Sequence, residues 1–330
     1  CLLARKFMFI LKVMKKKSVF IDGSSGTTGL QVVSRLSQRS DISLIFLPDK
    51  EKKLEEKRLQ AMQEADLTIL CLPDLAAIRA VELVKETDVR IIDASSAHRT
   101  APGWVYGFPE LCQQQINKIA KARFVSNPGC YASGFIALSR PLVDSGFISP
   151  NLCLIAPAVS GYSGGGKNMI KSIRNGDLPT HFDYGLELDH KHIPEMIMQT
   201  GLQTPPLFMP SVGLFEQGML VRLAIPKSHF SKDVSIKDIF ELYQKTYSDH
   251  PLIRVCEQEF ELMSKNLLRL SADGLAGQDG LEIYCFNNPK TEQFLLISRL
   301  DNLGKGAAGA CVQNLNIMLG YDQFLGLNWQ

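Results

Sequence analysis

A chain of 330 residues, 45% apolar and 21% charged, has the make-up of an ordinary globular protein with room for two cores. Its formal charge of +2 leaves no basic surplus for holding nucleic acid by bulk electrostatics. The eight cysteines, at 1, 71, 112, 130, 153, 256, 285 and 311, form no Cys-x-x-Cys pair, and several sit in apolar runs. They read as reduced thiols of a cytoplasmic protein, not as disulfides or a metal cluster.

The opening stretch "CLLARKFMFILKVMKKKSV" mixes apolar residues with five Lys and one Arg before Ser18. Lys12 interrupts it too early for a signal peptide, and it is too short to cross a bilayer. Met14 leads straight into a strand pattern, so residues 1–13 are expected to be a non-native or disordered extension. Without Arg5, Lys6 and Lys12 the charge goes from +2 to −1, so the basic tint carries no message.

The first strand, "SVFID" (18–22), stops at "GSSGTTG" (23–29), and a helical pattern follows. Strand, Gly-rich turn and helix form the context of a dinucleotide fingerprint, although the spacing G-x-x-G-x-x-G departs from the usual G-x-G-x-x-G. Gly23 suits the tight turn, Gly26 the approach of a pyrophosphate, and Gly29 close helix–strand packing. Ser24, Ser25, Thr27 and Thr28 add hydroxyl donors at the helix N-terminus. The competing reading is a Gly/Ser turn without a ligand.

Further strands are predicted at "ISLIFL" (42–47), "LTILCLP" (67–73), "VRIIDAS" (89–95) and "RFVSNP" (123–128), with helices between them. Apolar strands alternating with helices imply a doubly wound parallel sheet, whose ligands bind beyond the C-terminal strand ends. After the second strand, "PDKEKK" leaves the cofactor open: Asp49 suits the ribose hydroxyl of NAD, while Lys50, Lys52 and Lys53 suit the 2′-phosphate of NADP or a solvated charge run.

On the same edge lies "VSNPGCYASG" (125–134). Asn127-Pro128-Gly129 is a sharp turn, and "YASGFIALSRPLV" reads as a helix ending around Pro141. Cys130 therefore stands at a helix N-terminus, where the dipole and free amides favour a thiolate. A nucleophilic thiol needs a base. Of six histidines, His190 and His192 are paired in "LDHKHIPEM", beside Lys191 and Glu195. Asp189, His190, His192 and Glu195 are also ligand types for a metal. Arg99, in "AHRTAPGW", suits either an anionic substrate or a surface ion pair. "GYSGGGKN" (161–168) approaches a P-loop through Gly161, Gly166 and Lys167, but Asn168 replaces the hydroxyl that holds magnesium. It reads better as a Lys-bearing turn near an anionic substrate.

From about Cys153 the pattern changes. Strands at "GMLVRLAIP" (218–226), "LEIYCFNN" (281–288) and "QFLLISRL" (293–300) come without regular crossovers, and "IKDIFELYQKTYS" (236–248) is a helix. An α+β domain on a mainly antiparallel or mixed sheet is expected. "DNLGKGAAGACVQNLNIML" ends the pattern as a Gly-rich turn and an apolar helix.

Taken together, "GSSGTTGLQ", "CLPD", "IIDASSAHR", "YGFPEL", "VSNPGCYASG", "VSGYSGGGK", "HKHIPEM" and "RLDNLGKGAAGACVQNLNIMLG" resemble the N-acetyl-γ-glutamyl-phosphate reductases of arginine biosynthesis, in their shorter form. The resemblance runs from about Lys15 to Gly320. It implies NADP(H) as cofactor, N-acetylglutamyl phosphate as substrate, phosphate as product, a homo-oligomer, and no nucleic-acid, membrane or metal partner. It implies a Rossmann-type domain from 14–130 and 301–330 and a substrate and oligomerisation domain from 131–300. Cys130 matches the nucleophile, and the loop of His190 and His192 carries the acid–base group. Cofactor contacts are expected from Gly23, Ser25, Gly26, Thr27, Thr28, Gly29, Lys50, Pro73, Ser95, Asn302 and Lys305. Substrate contacts are expected from Arg99, Asn127, Gly164, Lys167, Lys191 and Glu195. Lys191 departs from the Arg common at this place, exchanging a bidentate fork for a point charge. The rivals are an aspartyl-phosphate reductase of the same chemistry and a non-catalytic NADP-binding regulator.

Overall fold

The computed structural model describes residues 16–257 and 269–329; the extension expected over 1–13 lies outside them. The apolar runs of the first half become β1 (Lys17–Asp22), β2 (Ile42–Ile45), β3 (Leu67–Leu70), β4 (Ile91–Asp93), β5 (Val105–Tyr106) and β6 (Phe124–Ser126). They form one parallel sheet in the order β2-β1-β3-β4-β6-β5. Between them run α1 (Thr27–Ser37), α2 (Glu55–Glu64), α3 (Asp74–Leu83) and α4 (Gln115–Lys121). Apolar side chains pack on both faces of the sheet, Val19, Ile21 and Ile69 on one side and Phe20, Leu70 and Ile91 on the other. This is the burial that keeps a parallel sheet dry. Strand order reverses between β1 and β3, so the turns after these two strands lie side by side and open a crevice there.

The chain leaves this sheet through α5 (Cys130–Asp144). The sequence predicts a stop near Pro141, yet the helix runs on to Asp144. Proline removes the amide that would bind the carbonyl of Ala137 and crowds the turn before it. The Tyr247 hydroxyl donates to the Ala137 carbonyl at 2.7 Å, and that of Tyr243 to Leu138 at 2.6 Å, so the loosened turn keeps its partners.

The second sheet is mixed, with the order β11-β12-β13-β10-β7-β9-β8. Its strands are β7 (Ile155–Gly161), β8 (His181–Asp183), β9 (Leu207–Gly213), β10 (Met219–Pro226), β11 (Ile253–Cys256), β12 (Leu281–Asn288) and β13 (Gln293–Leu300). β7 and β9 run parallel, as do β11 and β12; the other pairs are antiparallel. α5, α7 (Ile193–Thr200) and α8 (Ile236–Tyr247) cover one face through Phe135, Met196 and Ile239. α6 (Gly166–Arg174) follows β7 on the outside and buries none of its residues. After β13 a tight turn enters α9 (Gly309–Leu319), whose Cys311, Val312 and Leu315 return to the first sheet. No helix among the described residues is long and apolar enough to cross a membrane.

Candidate active site

The Gly-rich turn after β1 has its shape for a steric reason. Gly23 adopts φ +86°, and a Cβ there would stand 2.3 Å from the Cys71 carbonyl oxygen. A Cβ on Gly29 would meet the Gly23 carbonyl at 2.4 Å, which fixes how closely α1 sits on β1. Gly26 differs: nothing in the protein lies nearer than 3.5 Å to its missing Cβ. It caps α1 without any side-chain cap, leaving the first amides of the helix free for an anion. Gly26, Thr27 and Thr28 line a cavity of about 620 Å³ whose opposite wall belongs to the second domain. The donor set and the open space at Gly26 fit a dinucleotide pyrophosphate.

Cys130 lines the same cavity, partly exposed, as the first residue of α5. The turn before it is locked from both domains. The Asn127 amide donates to the Asp93 carbonyl at 2.7 Å, and its side chain donates to the Ala307 carbonyl at 3.0 Å. The Gly129 amide donates to Glu195 Oε2 at 3.1 Å. Glu195 accepts from Arg99 Nη1 at 2.7 Å and from the Tyr106 hydroxyl at 2.6 Å, while Arg99 Nε donates to the Asn127 carbonyl at 3.0 Å. A Cβ on Gly129 would lie 2.5–2.6 Å from Arg99 Nη1, Glu195 Oε1 and His192 Nε2. Glycine is thus required by what surrounds it, and the three polar groups are brought within one side chain's width of the thiol's helix.

The electrostatics qualify the sequence expectation of a ready thiolate. Burial raises the Cys130 thiol above its ordinary 9.0, outweighing the Arg99 charge and the Tyr131 amide that pull it down. Burial, helped by Lys191 and Arg99, lowers His190 to about 4 and takes His192 well below 6.5. Both imidazoles are therefore neutral near pH 7, able to accept a proton. Burial also opposes the Arg99 charge, but Glu195 beside it more than restores it. His190 and His192 meet edge to face with ring centroids 4.7 Å apart, and both line the cavity. His190 Nδ1 accepts from the His192 amide at 3.1 Å, whereas His192 Nδ1 is buried without a partner. Among the described residues no group of three His, Cys, Asp or Glu gathers as metal ligands would.

Of the other expected residues, Pro73, Arg99, Asn127, Gly164, Lys167, Lys191 and Asn302 reach the cavity wall. "GYSGGGK" follows β7, and Gly166, at φ +77°, lies across from Thr27. Asn302 ties the turn after β7 to the residue before β10, donating to Ser163 Oγ at 2.9 Å and accepting from the Gly218 amide at 2.9 Å.

Seven expected contacts do not line the cavity. Lys305 is 1% exposed and points into the core, where Nζ donates to Glu110 Oε1 and Gln313 Oε1 at 2.7 Å each. A buried ammonium needs such partners, so it is not free for a dinucleotide. Ser95 turns inward, its hydroxyl donating to Asp93 at 2.6 Å. Glu195, 1% exposed, braces Arg99 and the Cys130 turn and does not face the cavity. Ser25 and Lys50 are exposed and stand outside the cavity wall, and Gly23 and Gly29 face the Cys71 and Gly23 carbonyls. Sequence reading missed Tyr106, which bonds Glu195, and Ser163, Tyr184 and Val212 on the cavity wall, because nothing near them in the chain marks a side chain that meets the site from elsewhere in the fold.

Comparison with known proteins identifies the family. Residues 18–119 match the semialdehyde dehydrogenase NAD-binding domain, and residues 130–302 match the semialdehyde dehydrogenase dimerisation domain. N-acetyl-γ-glutamyl-phosphate reductase 2 of Nostoc sp. is 45% identical over 95% of this chain and all of its own length. The chain belongs to the semialdehyde dehydrogenase family, among the N-acetyl-γ-glutamyl-phosphate reductases. The Brucella ovis reductase of that name is 43% identical, with 92% of this chain and 99% of its own covered. Two solved members of the wider family share the fold at low identity. Aspartate semialdehyde dehydrogenase II of Vibrio cholerae superposes with a TM-score of 0.68 at 15% identity, covering 93% of this chain and 99% of its own. The Candida albicans aspartate enzyme, solved with NADP, gives 0.65 at 14% identity, covering 92% and 99%.

Proposed function

We propose that this reductase converts N-acetylglutamyl 5-phosphate into the 5-semialdehyde and phosphate, using NADPH and a thioester on Cys130. The observation that carries the reading is one cavity holding Cys130, the two histidines and the Gly26 turn together. A thiol held above its ordinary range needs a base before it attacks, and a neutral imidazole of His190 or His192 serves. Cys130 Sγ then bonds to the acyl carbon, the carbon–oxygen bond to phosphate breaks, and the imidazole passes the thiol proton to the departing phosphate. Arg99, Lys167 and Lys191 hold the substrate anions. NADPH bound along Gly26, Thr27, Thr28 and Asn302 would supply hydride to the thioester carbonyl. Collapse of the resulting adduct breaks the carbon–sulfur bond and frees the aldehyde. A proton from solvent, carried by the same imidazole, returns Cys130 to its thiol.

The reverse reaction tests this. Purified protein given NADP, phosphate and N-acetylglutamate semialdehyde should reduce NADP. Aspartate semialdehyde should turn over at least about tenfold less well, since its shorter chain and missing acetyl group leave binding contacts unmade. Cys130→Ala should abolish both. Equal use of the two aldehydes would favour the aspartyl reading, and tight NADP binding without turnover would favour the regulator.

The same reading makes the protein a cytoplasmic homo-oligomer. All seven described cysteines are free, as a reducing compartment requires. The outer face of the mixed sheet carries an apolar groove along Ile155, Phe286 and Leu295, as a partner subunit requires.

A further inference from the structure

The turn "DASSAHR" is built around a buried carboxylate that the reaction itself does not use. Asp93, at the end of β4, is fully buried. Its Oδ1 accepts from the Ser95 amide at 2.9 Å, and its Oδ2 meets the Ser95 hydroxyl and His98 Nδ1 at 2.6 Å each. His98, 8% exposed, stacks on Trp104 at 4.2 Å between ring centroids and 13° between planes, and Trp104 stacks in turn on Phe124 of β6. Burying a carboxylate is costly, and a neutral Asn or Ser would satisfy an ordinary turn. Two chains of contact diverge from this residue. Through His98 it fixes the residue before Arg99; through its carbonyl it holds the Asn127 amide at 2.7 Å, three residues before Cys130. Arg99 then bonds across to the Asn127 carbonyl and to Glu195, its Nη2 donates more weakly to the Ala94 carbonyl at 3.5 Å, and the residue lines the cavity.

We propose that Asp93 and His98 are a positioning pair, which sets the Arg99 guanidinium against the Cys130 turn so that it can hold the phosphate end of the substrate. The inference rests on the function proposed above. Neither residue lines the cavity, so both act through Arg99. His98→Phe keeps the stacked ring and removes the donor; His98→Asn keeps a donor where Nδ1 stands.

The test is a cycle of these variants with Arg99→Lys, assayed as phosphate-dependent NADP reduction with N-acetylglutamate semialdehyde. His98→Phe should lower kcat/KM for phosphate about 10- to 100-fold, chiefly through KM, because a guanidinium displaced by about 1 Å no longer meets the phosphate at hydrogen-bond distance. The dissociation constant of NADP should stay within about twofold, since the dinucleotide turn is untouched. His98→Asn should recover most of the loss. In the Arg99→Lys background His98→Phe should cost less than about threefold, because the group it positions is gone. An equal cost in both backgrounds, or an Asn variant no better than Phe, would overturn the proposal. Should His98→Phe fail to fold, Asp93→Asn takes its place in the cycle; failure of both assigns the pair to stability and also overturns it. An inactive wild-type protein would instead refute the proposed function, so the two failures are distinct.

Discussion

Adding one methyl group at Gly129 tests how the site is assembled. The new Cβ would stand 2.5 Å from Arg99 Nη1 and Glu195 Oε1 and 2.6 Å from His192 Nε2. Van der Waals separation is about 3.5 Å, so each atom must retreat by roughly 1 Å, or α5 must shift by as much. None of the three can yield freely: Arg99 and Glu195 are joined at 2.7 Å, and His192 is 5% exposed. Overpacking of this kind costs about 1–3 kcal/mol of stability. A misplacement of about 1 Å between nucleophile, base and anion clamp costs about 100-fold in rate. Gly129→Ala should therefore stay folded, with a lowered Tm, while kcat/KM drops about 100-fold and NADP binding is retained. Steady-state kinetics beside a thermal melt read both quantities. Wild-type kcat/KM in this variant would refute the claim that Arg99, Glu195 and His192 converge on the Cys130 turn.

Gly26→Ala should do the opposite, since its Cβ meets protein only at 3.5 Å and beyond: Tm unchanged, NADP affinity down about tenfold or more, as read by fluorescence titration. Alkylation of Cys130 in the ligand-free protein should keep accelerating as pH rises past 9.0, because burial lifts the thiol above that value; a plateau near pH 7 would contradict it. The histidines should make the fold acid-sensitive. Their folded pKa values are depressed, so their contribution is present above 6.5 and is lost as pH falls from there toward about 4 for His190, and lower for His192. Replacing both with Asn should flatten urea-melt stability across that window.

How far the chain discloses its structure differs between backbone and site. β12 and β13 lie where alternation and turn residues put them, at 281–288 and 293–300, and Cys130 begins a helix after the extended Gly129 of the Asn-Pro-Gly turn, as the sequence predicts. β9 was missed, since "LFMPSVG" carries a proline and ends in glycine, both signals against a strand; parallel pairing with β7 overrides them. Pro141 failed as a helix stop for a similar reason: tyrosines over a hundred residues away supply the hydroxyls that make the break tolerable. Lys305 shows the limit most plainly. The family resemblance puts this lysine beside the dinucleotide, and only its pairing with Glu110, 195 positions away, turns it into the core. The residues that carry local backbone demands were legible; those defined by a distant partner were not.

The account depends most directly on a covalent bond between Cys130 and the substrate's acyl group. Mixing the protein with N-acetylglutamyl phosphate in the absence of NADPH, then quenching in acid for peptide mass spectrometry, measures that bond. The expected result is one equivalent of phosphate released, the acyl mass on the peptide containing Cys130, and its loss on adding NADPH. Phosphate release with Cys130 unmodified, or an acyl group on Cys71, the other cysteine lining the cavity, would contradict it.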